Sequence, residues 1–259
     1  MAEESYKIYR LGLTNVAAYL IYRPGEAILV DSGNKGSEEK IQKILKGLGL
    51  EDDMLKLLIL THVHFDHAGS AQRLKELTSC KIMVHQSEEA RLREGFTPIP
   101  AGTRWKAKLL VWVGRIFVRR IGSFPGAEAD LLVDESFDLE EFGFPGKVIH
   151  TPGHTHGSMV VLMDGGELIG GDTIFGLEGK QHFPPFAEDL SALLRSWKRI
   201  RDMQPAILYP ALDRTAHGTH QAIRSYALCL AITSGLIIGR VVFAHTNTLR
   251  DHRLSLSID

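Results

Sequence analysis

The amino-acid sequence predicts a mixed α/β (α+β) fold in which two similar layers of secondary structure surround one core. Strand-like apolar runs and amphipathic helix patterns occur in both halves of the chain, and several apolar runs end directly at polar clusters. The chain has 259 residues, of which 44% are hydrophobic and 24% charged, as in an ordinary globular protein. It is therefore long enough to bury a sizeable core.

The N-terminal part has the pattern of β-hairpins followed by alternating helices and strands. Residues 15–22 and 27–30 are apolar runs separated by the turn sequence Arg23-Pro24-Gly25-Glu26. Ser37 is a candidate N-cap for a helix whose apolar positions share one face: Ile41, Ile44, Leu45 and Leu48. The next predicted elements are a buried strand at 57–60, a helix at about 70–77, a strand at 81–84 and a helix at about 87–93.

Strand patterns return in the second half. The apolar runs lie at 131–133, 147–150, 159–163 and 168–170, and Asp164-Gly165-Gly166-Glu167 predicts a hairpin turn between the last two. Asp189 is a candidate N-cap for a helix with a repeated apolar face: Leu190, Leu193, Leu194, Trp197 and Ile200.

The segment 95–125 interrupts this order. It opens with Pro98 and Pro100, and its basic, apolar part at 105–120 fits an amphipathic helix. Such a helix can cover a cleft, or it can bind an acyl chain, a partner subunit or a membrane face. The residue pattern does not distinguish these two roles. We expect a segment that covers a cleft.

Composition excludes several classes of protein. The 30 Lys+Arg residues nearly cancel the 31 Asp+Glu, so the chain lacks the strong positive field that a nucleic acid would require. Cys80 and Cys229 are isolated, which argues against a disulfide framework or a thiolate metal site. The acidic N-terminus does not resemble a secretory signal, and the longest uncharged run, 225–239, is too short for a membrane span. We therefore expect a cytoplasmic protein that has no membrane span and binds no nucleic acid.

Residues 61–69, which read THVHFDHAG, are the most informative part of the chain. His62, His64, Asp66 and His67 follow directly after the buried strand at 57–60. Alternate side chains on an extended segment point the same way, so His62 and His64 can converge while Asp66 and His67 reach a second point nearby. This density of nitrogen and oxygen ligands predicts a metal site, with zinc as the first candidate.

Two later segments offer the further ligands that a metal needs. Residues 150–158 read HTPGHTHGS, and they place His154 in a tight turn after an apolar strand. Residues 170–173 read GGDT, where small neighbours allow close backbone approach and the Asp172 carboxylate can bridge two ions.

Together these motifs, H-x-H-x-D-H, T-P-G-H-T and G-D-T, resemble the metallo-β-lactamase fold superfamily, in particular its glyoxalase II-like and general metallo-hydrolase branch. The resemblance extends over roughly residues 8–215, including Asp31-Ser32-Gly33. It implies a four-layer αββα sandwich with the metals at one edge of the two sheets. We expect this domain to span residues 1–220, with residues 221–259 as its C-terminal extension and a candidate surface for pairing two subunits into a homodimer.

The resemblance also implies a ligand set. His62, His64 and His154 correspond to the ligands of the first metal. Asp66 and His67 correspond to those of the second, with Asp172 as the bridging ligand.

One position departs from the family pattern. The family usually closes the second site with a further histidine near the end of the domain, whereas this chain has Leu212 at the corresponding place. Leucine has no ligand atom. Three outcomes stay open: His217 or His220 takes over, the second metal is held weakly, or the protein uses one metal.

The sequence therefore predicts a metal-dependent hydrolase with one or two Zn²⁺ ions, in which a zinc-bound hydroxide attacks an ester, thioester, lactone or amide carbonyl of a small-molecule substrate. Asp66 is the candidate catalytic residue, because it can orient the hydroxide and manage its proton. One alternative is a mononuclear iron enzyme similar to the persulfide dioxygenases of this superfamily. Another is a binding module with a degraded second metal site.

Overall fold

The structure is a computed structural model, and it describes residues 6–13, 16–98, 122–175 and 184–211. The described strands are β1 (Lys7–Gly12), β2 (Ala17–Arg23), β3 (Glu26–Val30), β4 (Leu55–Ile59), β5 (Lys81–His85), β6 (Leu131–Val133), β7 (Ser136–Asp138), β8 (Gly146–His150), β9 (Met159–Met163), β10 (Glu167–Ile169) and β11 (Ile207–Tyr209). The described helices are α1 (Glu38–Gly47), α2 (Phe65–Ala68), α3 (Ala71–Thr78), α4 (Glu89–Glu94) and α5 (Leu190–Asp202).

The strands form two sheets. One has six strands in the order β1-β2-β3-β4-β5-β6, and the other has five in the order β11-β10-β9-β8-β7. In the first sheet β3, β4, β5 and β6 run parallel, so their carboxyl ends lie at the same edge. Parallel strands are commonly covered on both faces, and the apolar sequences of β3 and β4 agree with this.

Alternating side chains of these strands enter two different apolar clusters. In β3, Ala27 and Leu29 pack toward α1, α3 and α4, while Ile28 and Val30 pack toward the second sheet. A third cluster lies between the second sheet and α5, where Val160 and Leu168 meet Trp197. Two sheets with helices outside each give the predicted αββα layers. The expectation of one core was wrong, because each buried sheet has two faces and the described residues form three clusters.

Most predicted elements are confirmed within a few residues of their predicted bounds. The hairpin between β9 and β10 is present, and Asp189 caps α5 by accepting a hydrogen bond from the Ala192 N–H at 2.9 Å. Ser37 occupies the N-cap position of α1, but its side chain makes no capping hydrogen bond. No bounds were predicted for strands β1, β7 and β11 or for the one-turn helix α2.

Among the described residues, none of the helices combines the length and the apolar character that crossing a bilayer requires. The predicted cover helix at 105–120, the domain boundary at 220 and the extension at 221–259 lie outside the described residues.

Candidate metal centre

Four segments from both sheets meet at one edge of the sandwich. His62 and His64 lie in the loop after β4, and α2 follows with Asp66 and His67. His154 lies in the loop after β8, and Asp172 lies in a single 3-10 turn, Gly171–Thr173, after β10. The Met159 N–H donates to the Thr61 carbonyl at 2.8 Å, which joins the two sheets beside the histidines.

Three imidazole nitrogens converge on one point. His64 Nδ1 lies 2.9 Å from His62 Nε2 and 3.2 Å from His154 Nε2. The nitrogens of a tetrahedral zinc site, each about 2.05 Å from the ion, are separated by about 3.3 Å, close to these distances. Asp172 completes the set, and its ligand atoms and those of the three histidines all lie within 4.8 Å of one another.

Hydrogen bonds on the opposite ring edges determine which nitrogen has a free lone pair. The Nδ1–H of His154 donates to the Phe186 carbonyl at 2.9 Å, which leaves Nε2 as the lone-pair atom facing the cluster. The Nδ1–H of His62 likewise faces Thr61 Oγ1 at 3.2 Å, and that hydroxyl donates to Asp31. Two of the three histidines are therefore held in the tautomer that a metal ion requires.

His67 and Asp172 lie beside this cluster as a second pair. His67 Nδ1 is 2.8 Å from Asp31 Oδ2, and its Nε2 is 3.3 Å from Asp172 Oδ1. Nε2 and Oδ1 are both buried, and in the described part of the chain neither has a hydrogen-bond partner other than the atom it faces. Two ligand atoms at this separation fit a cation between them.

Asp66 lies next to His67 in α2 and is half-buried. Burial raises the pKa of its carboxyl group above the ordinary value, an effect that the charge of His67 opposes and the charge of Asp172 reinforces. Asp66 thus belongs to the same electrostatic cluster as His67 and Asp172, although it does not belong to the four-residue group formed by Asp172 and the three histidines.

Burial and charge set the protonation of the cluster. Burial lowers the pKa of His62 and of His64 well below its ordinary value, so both rings are neutral, as metal ligands must be. Burial alone would raise the pKa of Asp172, but His67 and His154 hold it well below the usual range, so Asp172 is a carboxylate. Burial alone would lower the pKa of His67, but Asp31 and Asp172 raise it well above its ordinary value, so a metal ion bound at this ring would have to displace a proton.

Asp31 is the functional neighbour whose role the sequence analysis missed. Its carboxylate accepts hydrogen bonds from the Thr61 N–H at 2.8 Å, from the Thr61 hydroxyl and from His67 Nδ1. Its backbone has φ = 65°, a left-handed conformation that aspartate tolerates better than most residues. Its position after the apolar strand β3 is the signal that could have identified it, because His62 follows β4 in the same way.

Three further histidines near the cluster have structural surroundings. His150 stacks on His85 with ring centroids 3.9 Å apart and donates from Nε2 to the His156 carbonyl. His156 lies in a hydrogen-bonded turn through its backbone N–H, which donates to Glu188, while its side chain is 66% exposed. Leu212, His217 and His220 lie outside the described residues.

Comparison with known proteins agrees with this geometry. Residues 11–211 match the metallo-beta-lactamase superfamily. A probable metallo-hydrolase from Methanocaldococcus jannaschii is 30% identical over 148 residues, which are 57% of this chain and 62% of that protein. A probable metallo-hydrolase from Bacillus subtilis is 26% identical over 83% of this chain and 85% of its own length.

A solved metallo-beta-lactamase family protein from Thermus thermophilus superposes with a TM-score of 0.60 at 22% identity, covering 82% of this chain and 75% of its own. This likeness shows the shared fold. Because the family match covers most of the chain, and the sandwich and its histidine cluster agree with it, this protein belongs to the metallo-beta-lactamase superfamily.

Proposed function

We propose that the protein is a zinc-dependent hydrolase that cleaves an ester, thioester, lactone or amide bond in a small molecule. The observation that carries this proposal is the convergence of His62 Nε2, His64 Nδ1 and His154 Nε2 beside the Asp172 carboxylate. In this assignment the three histidines would hold the first metal. Asp66 and His67 would hold a second one, and Asp172 would serve both.

A zinc ion held by these residues would supply a water of lowered pKa near neutral pH and a Lewis acid for a carbonyl group. The chain's own residues supply orientation and proton transfer. Asp66 is the candidate to orient the attacking water and to hold its proton at a carboxyl oxygen, and burial favours the protonated form of that carboxyl group by raising its pKa. Asp172 stays ionised and keeps its negative charge between the two ligand groups.

The test is a metal count on the purified protein combined with a panel of thioester, lactone, ester, β-lactam and phosphodiester substrates. We expect zinc, and hydrolysis of a carbonyl substrate that stops on chelation and returns when zinc is added. Phosphodiester cleavage without carbonyl hydrolysis would contradict the substrate class. Metal-free protein that takes up no zinc would contradict the whole assignment.

A second candidate is the mononuclear iron oxygenase. Among the described residues, the close cluster contains the three histidines and Asp172 but not Asp66 or His67, and two histidines with one carboxylate can hold iron. Iron in the purified protein, with oxygen uptake in the presence of a persulfide, would favour this candidate over the hydrolase.

A further inference from the structure

Glu88 is a fully buried carboxylate outside the metal cluster. It ends the 3-10 turn Gln86–Glu88 after β5, and its exposed fraction is 0%. A buried carboxylate is costly unless it is paired and hydrogen-bonded, so its partners indicate what it does.

Each oxygen of Glu88 accepts a hydrogen bond from a different ligand loop. Oε2 accepts from the Val63 N–H at 3.3 Å, and Oε1 accepts from the Gly157 N–H at 3.2 Å. Val63 lies between His62 and His64, and Gly157 follows His154 by three residues. One side chain therefore connects the loop of two candidate ligands with the loop of the third.

Packing holds both loops against Glu88. Gly157 lies so close that a Cβ atom there would overlap Glu88 Cγ and Ser87 Oγ. On the other loop, the Thr97 hydroxyl donates to the Val63 carbonyl, so both polar backbone groups of Val63 are fixed. The loops thus have little freedom to move relative to the carboxylate.

Arg91 extends the connection to a third segment. Its guanidinium Nη1 lies 3.3 Å from Glu88 Oε1 and 2.8 Å from Glu188 Oε1. Glu188 in turn accepts from the His156 N–H at 2.7 Å and donates its own N–H to the His154 carbonyl at 3.0 Å. The His154 loop is therefore held from two sides by one charged network.

We propose that Glu88 is a positioning residue that sets the distance between the His62/His64 pair and His154, and so determines the affinity and the coordination geometry of the first metal. This inference rests on the proposed metal-dependent function. The carboxylate is specifically required, because two N–H donors need two acceptor oxygens. A glutamine has one acceptor, and its NH₂ group would face a backbone N–H.

The test compares Glu88→Gln with Glu94→Gln, a change of the same chemistry at an exposed position in the adjoining helix α4. Zinc affinity is measured by competition with a chelator, and coordination is followed by the visible absorption of the Co²⁺-loaded protein. We expect Glu88→Gln to weaken zinc binding by about 10–100-fold and to change the Co²⁺ spectrum. Glu94→Gln should leave both unchanged.

Thermal unfolding separates positioning from a merely structural role. If Glu88→Gln lowers the melting temperature but leaves the zinc affinity and the Co²⁺ spectrum unchanged, the proposal is overturned. If Glu88→Gln does not fold, Glu88→Asp takes its place, because aspartate keeps both oxygens but is one methylene too short to reach both loops. Unchanged zinc affinity in that variant also overturns the proposal.

The failure of the proposed function can be distinguished from the failure of this inference. If the unmodified protein binds no metal, both are overturned. If the unmodified protein and its variants all bind metal normally, this inference alone is overturned.

Discussion

The candidate ligands in this centre depend on residues that lie outside the cluster of histidines. Asp31 accepts three hydrogen bonds from Thr61 and His67, all within the buried interior. It thereby fixes the loop after β4 and the orientation of the His67 ring. A side chain that supports several ligand-bearing residues should matter for stability as well as for metal binding.

Asp31→Ala should therefore lower the free energy of unfolding by about 3 kcal/mol or more, because it leaves the Thr61 N–H, the Thr61 hydroxyl and His67 Nδ1 without their acceptor. Urea unfolding at neutral pH measures the change. Asp31→Asn, which retains one acceptor oxygen, should be less destabilising. A loss below about 1 kcal/mol for the alanine variant would show that these hydrogen bonds are replaced by water.

The histidines themselves can be tested one by one. His62→Ala or His154→Ala should remove bound metal and activity together, because each ring supplies one of three converging nitrogens. His156→Ala is the matched control, since it lies two residues from His154 but its side chain is 66% exposed. Metal analysis of dialysed protein is the measurement. Full metal content in His154→Ala would show that this ligand assignment is wrong.

At this scale local sequence patterns single out the candidate ligands but not the residues that support them. Histidine and aspartate clustered after a buried strand have few chemical roles other than metal binding, so His62 and His154 could be singled out. Glu88 lies 25 residues from Val63 and 69 from Gly157, and no local pattern encodes those contacts. Only the three-dimensional fold brings them together.

Helix α5 and the loop that carries His154 fit together through a glycine. Gly153 has φ = 141°, and a Cβ atom there would overlap the backbone N and Cα of Leu193 in α5. Ser196 of the same helix donates to the Pro152 carbonyl at 2.7 Å. The first turns of α5 therefore rest directly on the loop.

Gly153→Ala should force α5 away from the loop and destabilise the protein by about 2–4 kcal/mol, since both the φ angle and the space are wrong for a side chain. Gly47→Ala is the control, because it should change the free energy of unfolding in the opposite direction. Gly47 is helical, and a Cβ there would contact nothing within 4 Å, so alanine should stabilise by about 0.5–1 kcal/mol. Calorimetry of both variants gives the comparison, and equal melting temperatures would contradict it.

Strands β5 and β8 end in a stacked pair of histidines, His85 and His150, and we expect His85 to make folding sensitive to acid. Burial and the neighbouring His150 lower the pKa of His85 below its ordinary value of 6.5. As the pH falls below about 6.5, the unfolded chain takes up a proton at this residue that the folded protein does not. The contribution of His85 to the free energy of unfolding therefore decreases as the pH falls. It stops decreasing once the pH is below the pKa of His85 in the folded protein.

His85→Gln should therefore lose stability less steeply than the unmodified protein as the pH falls below about 6.5. Urea unfolding at several pH values measures the slope, which is independent of any constant loss of packing. Parallel curves for the two proteins would contradict the prediction.

Most helices and strands were predictable, because the spacing of apolar residues and the helix-capping residues can be recognised within a short stretch of sequence. Residues 27–30 and 57–60 predicted β3 and β4, and Asp189 predicted the start of α5. Strand β7 has three residues, and none of them is buried, so its sequence lacks the apolar pattern of the other strands. It is a strand because it pairs with β8.

The whole molecule determines the site by bringing two sheets together at one edge. His62 and His64 follow a strand of the first sheet, whereas His154 and Asp172 follow strands of the second. Their separation depends on the apolar cluster between the sheets, in which Ile28 and Ile59 meet Val148 and Val161. Local sequence patterns predict the strands but not this packing, and the four-layer arrangement was expected only through family resemblance.

The same topology gives a reason to test position 212. Strands β10 and β11 run parallel, with Ile169 opposite Tyr209. Asp172 comes three residues after Ile169, and position 212 comes three residues after Tyr209. The chain before it is fixed, since the Ala211 carbonyl accepts from the Ala17 N–H at 2.7 Å and the Pro210 carbonyl accepts from the Tyr19 hydroxyl at 2.6 Å.

Because Leu212 offers no ligand atom, a second metal would depend on Asp66, His67 and a share of Asp172. We predict unequal occupancy, in which the first metal survives dialysis and the second is absent or easily lost. Leu212→His should raise the content toward two metals per chain, and should raise hydrolytic activity if the missing ligand limits the reaction. Metal analysis after dialysis, with His217→Ala and His220→Ala in parallel, measures the number of metals per chain.

Two tightly held metals in the unmodified protein, one of them lost in a histidine variant, would show that a later histidine replaces the ligand. Two tight metals unaffected by either variant would contradict both explanations.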